Sequence, residues 1–251
     1  MVGFFSAPYL RGVKFTILHR DEDLVLVDKP AGLLSVPDRH DPDVPNLKHL
    51  LGERLGAPVL PVHRLDRYTS GLLVFARTAE AHRSLSQQFA ERQVEKVYLA
   101  IVDGVPAAGE ATIDEPIAPH PARVGQMMVS ARGKFARTDY KVMEPLGQFS
   151  LLGVQIFTGR THQIRVHLAY LGHPLLVDPQ YGKRTEFRLS ELKGRRYNLG
   201  RGREERPLLG RLPLHAERLA FTHPGTGEWV AFRRELPKDM RATLNQLRKL
   251  G

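Results

Sequence analysis

The chain has 251 residues, 42% hydrophobic and 25% charged, enough to bury a substantial core as one large domain or two small ones. It contains no cysteine, which excludes disulfides, thiol catalysis, iron–sulfur clusters and Cys-ligated zinc. Lysine and arginine number 37 against 27 acids, a formal net charge of +10 that attracts polyanions, nucleic acid first and an anionic membrane surface second.

The predicted elements alternate short strands with helices. LVLVD at 24–28 reads as a buried strand that closes on the turn Lys29-Pro30-Ala31-Gly32. The polar, proline-rich stretch 38–46 reads as a loop, followed by a short amphipathic piece carrying Leu47, Leu50, Leu51 and Leu55. LLVFA at 72–76 is a second buried strand. Thr78 is placed to cap the next helix, with Glu80 in its first turn and Ala81, Leu85 and Phe89 as its buried stripe. In KVYLAIV at 96–102, alternation puts Val97, Leu99 and Ile101 on one face and Lys96 and Tyr98 on the other. A strand at 151–157 turns through Thr158-Gly159-Arg160 into a helix with Thr161 as candidate N-cap. Ile164, Leu168 and Leu171 form its core side, and Gly172 and Pro174 stop it. A hairpin over 217–222 and 228–234 and a terminal helix over 238–249 complete the chain. Residues 183–211 stand apart: ten Lys or Arg against Glu186, Glu191, Glu204 and Glu205, with weak periodicity. They read equally as a flexible surface insertion or as an RNA-contacting loop. No apolar run approaches the ~20 residues that span a bilayer. The opening MVGFFSAPYLRGVKF lacks the pattern of a secretory signal, so a cytoplasmic protein with no membrane partner is expected.

The stretch HRLDRYTSG, residues 63–71, sets Asp66 among His63, Arg64 and Arg67. Cations favour the ionised carboxylate, which suits it to nucleophilic attack or to stabilising positive charge on a sugar carbon. A structural salt bridge explains the same residues. Arg64, two residues upstream, is placed to fill the gap left by an extruded base. Tyr98 is either a core residue with a bonded hydroxyl or a platform for a flat base. In GRTHQIRVH, Arg160, Thr161 and His162 open a helix whose free N–H groups favour an anion, while Arg165 either pairs with a buried carboxylate or is solvated. There is no H-E-x-x-H, no histidine pair spaced like a zinc site, no phosphate-binding glycine loop and no G-x-S-x-G elbow, so no metal is expected.

Taken together, DKPAGLLSVP (28–37), HRLDRYTSGLLVFART (63–78), EKVYLAIVDG (95–104), GRTHQIRVHLAYLGHPLLVDPQYG (159–182) and LPLHAERLAF (212–221) resemble the RluA-type pseudouridine synthases, in the family's order. The resemblance implies an isomerase that converts selected RNA uridines to pseudouridine with neither cofactor nor metal. It implies an α/β fold: a long, mixed, mostly antiparallel sheet flanked by helices, with a basic active-site cleft across its middle. Asp66 matches the essential carboxylate, Tyr98 the tyrosine that packs on the base, Arg165 the arginine that orients the aspartate, and Arg64 the residue that replaces the flipped uridine. His63, Arg67, Lys96, Arg160, Thr161 and His162 are the further RNA contacts expected. The organisation expected is a short extension over 1–19 and a single catalytic domain over 20–251, without the S4 domain of many relatives and with a basic insertion at about 183–211. The substrate expected is ribosomal or transfer RNA, and the protein a monomer with no obligatory protein partner. A catalytically silent RNA-binding protein of the same fold and a nucleoside hydrolase are the competing readings.

Overall fold

A computed structural model describes residues 14–39, 41–194, 197–198 and 204–250; the extension up to residue 13, and residues 195–196 and 199–203 of the basic insertion, lie outside them. The chain forms two compact units, each discontinuous in sequence, and passes from one to the other between Tyr98 and Leu99, inside a strand.

The unit that runs up to Tyr98 and resumes over His215–Glu235 contains β1 (Thr16–Arg20), β2 (Leu24–Lys29), β3 (Leu60–Pro61), β4 (Ser70–Ala76), most of β11 (Leu214–Thr222) and β12 (Trp229–Arg233), with α1 (Leu47–Leu55) and α2 (Ala79–Ala90). Its strands run in the order β1-β2-β4-β11, with β12 on β11 and β3 on β4. β4 and β11 are parallel; β1–β2, β2–β4, β3–β4 and β11–β12 are antiparallel. Leu24, Leu26, Leu72 and Val74, alternate residues of β2 and β4, join Leu219 and Phe221 of β11 and Ala81 and Leu85 of α2 in one core. Both strands are buried on both faces, which is why they read as unbroken apolar runs rather than as alternating ones. Thr78 Oγ1 accepts from Ala81 N at 3.1 Å and starts α2 where the sequence places the cap. Its stripe runs Ala81, Leu85 and Gln88, with Phe89 only half-buried.

The other unit contains the second half of β5 (Glu95–Asp103), β6 (Glu110–Asp114), β9 (Arg137–Leu146) and β10 (Phe149–Ile156) in the order β5-β10-β9-β6, a hairpin of β7 (Ile117–Pro119) and β8 (Met127–Val129), and helices α3 (Gln163–Tyr170), α4 (Leu189–Lys193) and α5 (Lys238–Leu250). Met240, Leu244 and Leu247 of α5 recur at helical spacing and pack with Ile101, Phe149, Leu151, Leu176 and Val177.

Two expectations change here. The described ends of the basic insertion are not a free surface segment. Phe187 and Leu209 belong to the same core, bonded to each other through both backbone amides (2.8 and 3.2 Å). Arg184 pairs with Asp103 and Glu191, Arg188 with Glu186, and Arg211 with Asp239, so acids from this unit answer these cations. In the first half of β5 the alternation is as read, but Lys96 and Tyr98 are buried while Val97 and Leu99 are half-buried. The polar pair therefore occupies the inner positions.

Candidate active site

The loop carrying Asp66 is fixed on both sides of that residue. Leu65 is buried, and its N–H and C=O bond to the same hydroxyl, Ser35 Oγ, at 3.0 and 2.8 Å. On the other side, Arg67 O accepts from Gly32 N at 2.8 Å and from Lys29 Nζ at 3.1 Å, and Arg67 Nε donates to Gly32 O at 3.0 Å. Lys29 is fully buried and also donates to Pro30 O and Leu33 O, so one ammonium laces the turn after β2 to the loop before β4. A bond from Thr69 N to Asp66 O closes the turn. Among the described residues the Asp66 carboxylate itself makes no hydrogen bond or ion pair. This sets aside the structural salt bridge: Arg64 is exposed, and Arg67 bonds to Gly32.

Tyr98, on β5, comes close to this carboxylate. Burial, and then the negative charge of Asp66, push its hydroxyl well above the ordinary phenol range, so it is a neutral donor. His63 brings no charge to the loop. Burial of the ring, and then the Lys96 charge, lower it to about 3. Its Nε2 accepts from Val74 N at 3.2 Å, which puts the proton on Nδ1, and its ring stacks on Phe89 with centroids 4.5 Å apart. Lys96 lies over the same Phe89 ring, 5.7 Å from its centroid. This unit thus offers an unpartnered carboxylate on a rigid loop beside a neutral phenol. Such a pair can attack an electrophilic carbon or accept a proton with one group, and stack or donate with the other.

Arg160, Thr161, His162 and Arg165 belong to the other unit. Thr161 is not the N-cap of α3: His162 holds that position in the left-handed region (φ 56) without capping through its side chain. Gln163 does the work from inside the helix. Its Oε1 accepts from Arg160 N (3.0 Å) and Thr158 Oγ1 (2.7 Å), and its Nε2 donates to Arg137 O and Thr138 Oγ1, both at 2.9 Å. Arg160 Nε donates to Phe135 O, and His162 Nδ1 lies 2.8 Å from the Tyr181 hydroxyl. Arg165 is buried, not solvated. It forks onto Asp178 at 2.7 and 2.8 Å, donates to Gln180 Oε1 at 2.7 Å, and stacks its guanidinium 4.7 Å from the Tyr181 ring centroid. Asp178 is held in turn by Gln180 N and Tyr181 N. The arginine expected to orient Asp66 is therefore itself fixed by a second, buried acid.

Sequence reasoning missed Lys29, Ser35, Gln163 and Asp178. The signal for two of them was present: a lysine at the end of the strand LVLVDK, and an aspartate directly after LLV at 175–177, are charges next to apolar runs where burial is expected.

One group among the described residues has metal-ligand types, His19, Asp21 and His223, with ligand atoms within 4.8 Å of one another. Its hydrogen bonds do not suit an ion. His223 Nδ1 accepts from Gly225 N and Thr226 N (3.2 Å each), so Nε2 carries the proton and donates it to Asp21 Oδ2 at 3.1 Å. The nitrogen facing the carboxylate has no lone pair for a metal.

Residues 23–170 match the family described as RNA pseudouridylate synthase, more than half of the chain. The chain belongs to the RNA pseudouridine synthase family. It is thus an isomerase acting on uridine in RNA. An RNA pseudouridine synthase of Chlorobaculum parvum is 42% identical over 94% of this chain and 75% of its own length. The ribosomal large subunit pseudouridine synthase D of Nitrosomonas europaea is 38% identical over 95% of this chain and 67% of its own. Among solved structures, human RNA pseudouridylate synthase domain containing 4 superposes with a TM-score of 0.71 at 28% identity, covering 92% of each chain. The α/β class and the mixed, mostly antiparallel strand pairing expected of a pseudouridine synthase hold in this one. No helix among its described residues is long and apolar enough to cross a membrane.

Proposed function

We propose that Asp66 is the group through which this pseudouridine synthase acts on its uridine, with Tyr98 against the base. The isomerisation conserves atoms: the N1–C1′ bond breaks, C5 bonds to C1′, the C5 proton leaves and N1 takes one up. Asp66 either attacks C1′ or removes the C2′ proton; both need a carboxylate that is not tied up in a salt bridge. One observation carries the reading: the Asp66 carboxylate is unpartnered while the residues on either side of it are locked to the Lys29–Ser35 segment. Tyr98, kept neutral by burial and by Asp66, is suited to pass a proton at the base and to stack on it. Arg165, held rigid by Asp178 within its own unit, is assigned to the reaction by its place in the GRTHQIR block alone, and Arg64, exposed on the loop, occupies the place of the extruded nucleotide. Arg67 orders the loop, and Arg160, Thr161 and His162 contact the RNA beside α3.

The substrate is large-subunit ribosomal RNA. Relatives from Nitrosomonas europaea and Pseudomonas aeruginosa, 38% and 39% identical, carry names that state it for those proteins. The test is to map pseudouridine in total RNA from cells with the gene, without it, and complemented with Asp66→Asn. Loss of the same ribosomal positions in the last two strains is the expected result. Full modification by the amide variant rejects Asp66, and a site confined to transfer RNA rejects the substrate.

A further inference from the structure

Among the described residues no buried side-chain nitrogen or oxygen lacks a hydrogen-bond partner, yet Lys96 has neither a hydrogen bond nor an ion pair. Its ammonium therefore keeps a point of access to solvent although the residue is 7% exposed. A cation desolvated to this degree normally has a carboxylate beside it. The acids nearest in sequence are committed elsewhere. Glu91 accepts from Gln87 Nε2 and Gln93 Nε2, each at 2.9 Å, and Glu95 pairs with Arg218 across to β11.

What faces Lys96 instead is positive or neutral. Phe89 of α2 lies beneath it, and His63, uncharged, stacks on the same ring. Arg92 repels it from the turn after α2. Arg92 is exposed and sits in the left-handed region (φ 63), a conformation that glycine adopts freely and arginine does not. Two cations are thus set near one another. Lys96 also shares a strand face with Tyr98, two residues along β5, which puts it one side-chain spacing from the base platform.

We propose that Lys96, with Arg92 beside it, binds a backbone phosphate of the RNA next to the uridine handled by Asp66 and Tyr98. The inference rests on the proposed role of that pair and assigns the anion that completes the site. The phosphate supplies the counter-charge that no acid among the described residues supplies, and Arg92 then serves the ligand rather than opposing Lys96. Burial, and then the Arg92 charge, bring the free ammonium down to about 8, so Lys96 loses its charge in the unliganded site just above neutrality. Binding then takes up a proton as the pH rises through that value.

The experiment measures affinity for unmodified large-subunit ribosomal RNA transcribed in vitro, in an Asp66→Asn background, across salt concentration and from pH 7 to 9. Lys96→Met, which keeps the length of the stem, is expected to weaken binding about tenfold, to reduce the salt slope by about 1, and to remove a pH-dependent loss of up to about tenfold. Lys96→Arg, charged throughout, retains the slope and flattens the pH profile. Unchanged affinity, slope and pH profile in Lys96→Met overturn the proposal, as does a fall in affinity with the slope intact, or a loss confined to turnover when Asp66 is restored. An Asp66→Asn protein that still isomerises uridine overturns the catalytic reading alone and leaves this binding measurement valid.

Discussion

The backbone of Ala216 passes so close to Gly71 that a β-carbon added to Gly71 would lie 2.3 Å from the Ala216 carbonyl oxygen and 2.7 Å from its nitrogen. The two residues are partners in the parallel pairing of β4 with β11, and Gly71 has φ 113, where side chains are strained regardless of space. The glycine that closes HRLDRYTSG is thus the point where the loop carrying Asp66 is sewn into the sheet.

Gly71→Ala must either push β11 away or twist β4, and it loses on both steric and conformational grounds. We expect a destabilisation of about 3 kcal/mol or more, a fall in Tm of roughly 6–12 °C, and reduced turnover below the new Tm because the Asp66 loop starts from a displaced strand. A Tm within about 2 °C of the parent would show that β4 and β11 yield easily there.

The fork between Arg165 and Asp178 is buried at both ends, with side-chain exposures of 5% and 1%. Removing one member leaves the other charged and desolvated. Asp178→Leu alone, or Arg165→Met alone, is expected to cost about 3–5 kcal/mol, whereas the double replacement Arg165→Met with Asp178→Leu recovers much of that stability and none of the activity. Urea denaturation of the two singles and the double gives the coupling energy. Additive effects would mean that the pair does not act as a unit.

Burial alone would raise the Asp21 carboxyl, but bonds from Leu24 N, His19, His223 and Asp23 N outweigh it and hold the group at about 2. A depressed carboxylate stabilises the fold above its unfolded value of about 3.9, and that stabilisation is lost as pH falls through the folded value. Asp21→Asn should therefore be less stable by on the order of 2 kcal/mol at pH 7, with the gap to the parent closing between about pH 4 and pH 2. Urea midpoints across that range provide the check; a gap that stays constant with pH would mean the amide costs stability for a reason other than charge.

The sequence by itself determined the elements whose residues have one hydropathic reading: β2 and β4 as unbroken apolar runs, α2 with its threonine cap, and α5 with its stripe. It also determined the family, because HRLDRYTSG and GRTHQIR are blocks in which residue type and spacing are tied to the chemistry. Strands β6 and β9 were not legible: their exposed and buried residues mix charge with apolar groups, and what fixes them is pairing with each other and, for β9, with β10. Nor could the chain order of residues tell which polar groups would be satisfied. Thr161 looks like a cap, yet Gln163 takes that role by reaching Thr158, Arg160, Arg137 and Thr138 together. Asp66 sits in sequence among cations and bonds to none of them, while Arg165 finds an acid 13 positions away. Local order sets which side chains are near in the chain; hydrogen-bond geometry and desolvation, settled only when distant segments pack, decide which of them are neutralised and which remain available to a substrate.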